Sequence, residues 1–67
     1  MKFIKVTDVC TQNPVLIRAD MIVRIEETTQ ETSNGTCNIR KITLDNGEVE
    51  YVFETLNQLL NMIRAFD

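Results

Sequence analysis

The sequence predicts an α+β fold: a small antiparallel β-meander of about five strands, in the order β-β-β-β-β-α, packed by one C-terminal amphipathic helix. Three observations predict it. Two Asn-Gly pairs, Asn34-Gly35 and Asn46-Gly47, each lie between stretches of β-type sequence, and Asn-Gly is the strongest short signal for a two-residue hairpin turn. Val23 and Ile25, Ile42 and Leu44, and Val49, Tyr51 and Phe53 recur at every second position of their strands, the period of a half-buried strand. Beyond them, Thr55 and Gln58 have the spacing of a capping box, ahead of a leucine-rich stretch.

Residues 3–9 and Pro14–Arg18 read as the first two strands, joined by a turn at residues 10–13. Pro14 has no N–H to donate and suits the first position of a strand. Residues 19–22, with a small residue and an Asp, predict a tight connection back into the sheet. If each Asn-Gly forms a type I′ turn, the registers follow. Around the second turn Leu44 faces Val49, Ile42 faces Tyr51 and Arg40 faces Phe53. Around the first, Ile25 faces Leu44, Glu27 faces Ile42 and Thr32 faces Cys37. Both registers place Val23, Ile25, Ile42, Leu44, Val49, Tyr51 and Phe53 on one apolar face. Arg24, Glu26, Lys41, Thr43, Glu48 and Glu50 fall on the other, with Lys41 and Glu50 near enough for a weak ionic contact. The polar segment 28–36 reads either as a ribbon beyond the sheet or as a mobile loop. In the terminal helix Leu56, Leu59, Leu60, Ile63 and Phe66 recur at helical spacing and form the stripe that covers the sheet, with Met62 beside it.

A chain of 67 residues predicts a single domain, residues 1–67, with a marginal core, since a domain this small buries only about 60% of the surface its unfolded chain exposes. With three Phe, one Tyr and no Trp, its core depends on Ile, Leu and Val, each worth roughly 1.5–3 kcal/mol when fully buried. The first residues are charged and alternating and do not read as a signal peptide, and no stretch approaches the length of a membrane span. The expectation is therefore a cytoplasmic protein without membrane contact, in which Cys10 and Cys37 stay free thiols.

Chemistry finds little support. There is no His, so no Cys/His metal set can form and no imidazole can activate a thiol. Glu26 and Glu27 are adjacent and point to opposite faces of a strand, which excludes a general acid/base pair. Glu48, Glu50 and Glu54 share a face, but a solvated sheet surface accounts for them. Asn34-Gly35-Thr36 matches a glycosylation sequon, although the hairpin turn explains it better. Gly35 and Gly47 are isolated and cannot build a phosphate loop. No catalytic residue, metal ligand or cofactor is expected.

The pattern Ile4-Lys5-Val6-Thr7, then Pro14-Val15-Leu16-Ile17 with Asp20, Ile22, Ile25, Glu26 and Glu27, then Ile42-Thr43-Leu44-Asp45-Asn46-Gly47, then Val52, Glu54 and Thr55, resembles the small flagellar FlbD-type proteins over nearly the full chain. The resemblance implies a small β-sheet with a terminal helix, an adaptor or regulatory role, and no catalytic residue. This chain departs from the pattern in a longer Thr-rich hairpin between Glu27 and Ile39 and in a fifth strand without basic residues. Residues 22–63 are also similar to the second half of LytTR-type DNA-binding domains, without their basic surface.

Phe3, Val9, Leu16, Ile39 and Val52 are apolar residues expected to lie off the main apolar face, and with Met62 they form the candidate interface. The function expected is that of a non-catalytic protein-interaction module, a homodimeric adaptor or regulator, with an exposed sheet edge as a second route to a symmetric partner. The alternative is a nucleic-acid-binding accessory protein that uses Lys2, Lys5, Arg18, Arg24, Arg40 and Lys41 as phosphate contacts. A formal charge of −3 and the scatter of those cations disfavour it.

Overall fold

A computed structural model of the chain describes residues 2–66. The elements run β1 (Phe3–Thr7), β2 (Pro14–Arg18), a 3-10 turn (Ala19–Met21), β3 (Ile22–Thr32), β4 (Gly35–Leu44), β5 (Val49–Val52) and α1 (Leu56–Arg64). The α+β class and the single C-terminal helix are as the sequence predicts. The strands form an antiparallel β1-β2 pair and an antiparallel β3-β4-β5 sheet. The two are stitched together where β1 ends. Asp8 bridges Val52, the Val9 N–H donates to the Tyr51 carbonyl at 3.0 Å, and the Phe53 N–H donates to the Thr7 carbonyl at 3.2 Å.

The turn between β1 and β2 is built on the Asp8 carboxylate, which accepts from the N–H groups of Cys10 and Thr11, while Gln12 takes a φ of 61°. Residues 19–21 make the tight connection, and the Asp45 N–H fastens it by donating to the Met21 carbonyl. Segment 28–36 is an ordered ribbon, because β3 and β4 stay paired out to Thr32 and Gly35. It stretches the molecule to 39 × 23 × 20 Å and the radius of gyration to 11.9 Å, above the ~11 Å of a compact chain of this length.

Both hairpin registers differ from the type I′ expectation, for one reason. In each Asn-Gly pair only the glycine takes a positive φ, 118° at Gly35 and 90° at Gly47, whereas a type I′ turn needs both residues there. Asn46 instead accepts the Glu48 N–H on its side-chain oxygen at 2.9 Å, and the Leu44 N–H donates to the Glu48 carbonyl at 2.9 Å. The loop is therefore 45–47, one residue longer than expected. Ile42 faces Glu50, not Tyr51, and Arg40 faces Val52, not Phe53.

In the first hairpin the Thr32 hydroxyl accepts from the Asn34 N–H and donates to the Gly35 carbonyl, so Ser33 and Asn34 form the loop. Thr32 pairs with Gly35 and Ile25 with Ile42, a displacement of two positions that leaves the paired side chains from Arg24 onward on their expected faces.

The one-residue shift has the larger consequence, because strand periodicity is two. It turns Val52 and Glu50 inward and Val49 and Tyr51 outward. Val52 is fully buried, whereas Val49 and Tyr51 are about 40% exposed. A bulge between Ile22 and Arg24 likewise leaves Val23 exposed. The core comprises Ile4, Val6, Ile17, Ile42, Val52 and Leu59, with Ile25, Leu44, Met62, Ile63 and Phe66 among the residues at its margin. Val9, in the β1-β2 turn, and Ile39, on the outer face of the β3-β4-β5 sheet, are buried outside that cluster.

The capping box of α1 forms as expected. The Gln58 N–H donates to the Thr55 hydroxyl and the Thr55 N–H to the Gln58 side-chain oxygen. The buried stripe is rotated from the expected one, with Leu59, Met62, Ile63 and Phe66 toward the core and Leu56 and Leu60 exposed.

Candidate interaction surface

Alternation along β1 and β2 sends Ile4, Val6 and Ile17 into the core and leaves Phe3 and Leu16 on the outside, 42% and 66% exposed. Consecutive residues Val15 to Arg18 line a groove of about 310 Å³, with Phe3 at its side and Leu44, Glu48 and Glu50 opposite. Among the described residues β2 pairs only with β1, so its other edge is open. In the other sheet β3 is likewise paired, among the described residues, on one side alone, with β4.

The groove's acidic wall follows from the register. Glu50, expected in solvent opposite Lys41, is half-buried on the core face across from Ile42, while Lys41 pairs with Tyr51. Burial, then a hydrogen bond shared with Asp8, then the charge of Asp8 raise its pKa from an ordinary 4.5 to about 7. Asp8 moves down, chiefly through the hydrogen bond from Glu50 and further through the Thr11 and Cys10 N–H groups. The two carboxyls thus hold one proton between them near neutral pH. The sequence reading missed this pair, because it depends on a register one residue away from the assumed one.

A second polar element fixes the frame. Arg40 is buried and donates to the carbonyls of Phe53 at 2.7 Å, Glu54 at 2.8 Å and Asn38 at 3.3 Å. The Glu54 carboxylate accepts from the Thr7 N–H at 2.8 Å and the Thr7 hydroxyl at 2.9 Å. Together they tie β4, the β5-α1 link and β1 into one unit.

Of the six candidate interface residues, Phe3 and Leu16 are exposed and lie together by the β2 groove. Val9, Ile39 and Val52 were expected off the core but are buried within the chain and present no free surface. Val52 is inward through the longer β4-β5 loop, and Val9, itself in the β1-β2 turn, lines with Ile39 a cavity of about 370 Å³. Met62 is partly buried against the core and borders a third hollow with Lys5 and Glu54.

The basic residues are largely engaged at home. Arg18 meets Asp20 at 2.8 Å, Arg24 meets Glu26 at 3.2 Å and Arg40 is buried. Lys2 donates to the Phe66 carbonyl at 3.1 Å. Cys10 and Cys37 are free thiols. Among the described residues, no group of three His, Cys, Asp or Glu side chains converges on a point where a metal could bind, and no helix is long and apolar enough to cross a membrane. The chain matches no family model, no curated protein and no solved structure.

Proposed function

We propose that this chain is a small non-catalytic protein-interaction module of the cytoplasm, a homodimeric adaptor or regulator. The observation that carries the reading is the pair of strand edges left unpaired among the described residues, β2 in one sheet and β3 in the other. A free edge offers a row of backbone donors and acceptors to another chain, and recognition by strand addition combines those bonds with side-chain pockets. At β2 the groove, the exposed Phe3 and Leu16, and the acidic Glu48 and Glu50 supply such a setting. Two edges allow one to join a second copy while the other takes a partner, which is the geometry of an adaptor. The resemblance to FlbD-type proteins agrees with such a role. Phosphate binding is the weaker reading, since Arg18, Arg24 and Arg40 are already paired or buried.

Size-exclusion chromatography with light scattering on the full chain tests the reading. A mass of twice the chain is expected at high micromolar concentration, and a clean monomer there removes the homodimer.

A further inference from the structure

We propose that a second copy of this chain adds to the β3 edge in antiparallel fashion about a two-fold axis through Ile25, so that Arg24 of each copy faces Glu26 of the other. This deepens the homodimeric reading above and rests on it.

The first step concerns which backbone groups are free. Thr32 and Gly35 pair across a two-residue loop, and the pair that closes such a loop exchanges both of its hydrogen bonds. Bonded and non-bonded pairs then alternate down the ladder. Thr28, Glu26 and Arg24 therefore aim their N–H and C=O groups at β4, and Ile25, Glu27, Thr29 and Glu31 aim theirs at the open edge.

A symmetric antiparallel partner must set these outward residues against one another. Few axes permit that, and charge separates them. An axis through Arg24 opposes two arginines, one through Glu26 or Glu27 opposes two glutamates, and one through Thr29 sets Glu27 against Glu31 of the other copy. Axes through Thr28 or Gln30 bring together polar side chains with no charge pair. The axis through Ile25 alone makes attractive pairs, two of them by symmetry. They fall in the non-hydrogen-bonded positions, where facing side chains approach most closely.

Packing agrees with that axis. Ile25 is partly buried at the margin of the core, and its symmetry mate continues that margin into the other copy. Glu26 and Arg24, already 3.2 Å apart along one strand, exchange partners without leaving the outer face. Val23, lifted out by the bulge and 67% exposed, lies opposite the partner's Glu27 at the end of the pairing. The product is one continuous six-stranded sheet made of β3, β4 and β5 from each copy.

The test is a charge-swap series followed by sedimentation equilibrium on the full chain. Glu26→Arg and Arg24→Glu should each weaken dimerisation by on the order of tenfold or more, since two attractive pairs become two repulsive ones. The double variant Arg24→Glu/Glu26→Arg should restore it. Both residues lie at the surface, and circular dichroism checks that each variant folds. In the unaltered protein, exchange of the Ile25 and Glu27 amides should slow as concentration rises, while that of Thr28 should not change with it. Dimers indifferent to the single reversals, or a double variant that stays dissociated, would overturn this interface and leave the homodimeric reading standing. A monomeric wild type would overturn both.

Discussion

Arg40 brings a charge into the interior and meets only neutral oxygens. Its guanidinium holds the carbonyls of Asn38, Phe53 and Glu54, and the last two belong to a link where no strand ladder satisfies them. A buried carbonyl left without a donor costs about 1–3 kcal/mol. Arg40→Ala should therefore destabilise the fold by roughly 2–4 kcal/mol, read as a lower midpoint in urea. Glu50 sets the response to pH. Its native pKa of about 7 lies above its ordinary 4.5, so between these values the native state holds a proton that the unfolded chain releases. That contribution is fully present below the unfolded pKa and is lost as pH rises through 7. Asp8, moved down, acts in the opposite sense: its contribution is lost only as pH falls below the ordinary aspartate range. The melting temperature should be higher near pH 5 than near pH 8, and Glu50→Gln should flatten the difference. A wild-type melting temperature that rises over this interval would refute the shared proton.

At the scale of elements, the helix start is a local matter and was legible in the sequence. Thr55 and Gln58 satisfy each other's backbone donors whatever the helix packs against. Thr55→Ala should cost about 1 kcal/mol, seen as faster exchange of the first-turn amides and a small fall in melting temperature. Which flank of the helix faces inward was not legible. Leu56, Leu60 and Met62 all border the Leu59–Ile63 line, and docking chose Met62. The hairpins divide in the same way. Asn34-Gly35 and Asn46-Gly47 marked where the chain reverses, but the loops are Ser33-Asn34 and 45–47, because neither asparagine enters the left-handed region. Asn46 stays out of it and caps the turn through its side chain. A single residue of loop length then decides whether Tyr51 or Val52 fills the core.

The whole molecule hangs on a small apolar centre. Six buried side chains from β1, β2, β4, β5 and α1 meet there, and Leu59 is the helix's fully buried contribution. Leu59→Ala should cost roughly 2–5 kcal/mol against a total of about 3–10 kcal/mol for a domain of this length. At about 4–8 °C per kcal/mol, calorimetry should show a melting temperature lower by at least ~8 °C. The sequence by itself determined the class, the order of elements, the presence of two hairpins and the helix cap, because each rests on residues near one another in the chain. Tertiary structure alone decided the β4-β5 parity, the burial of Val9, Ile39 and Val52, the Asp8-Glu50 pair and the Arg40 latch. Those depend on strands distant in sequence, whose relative register is settled only when the core closes.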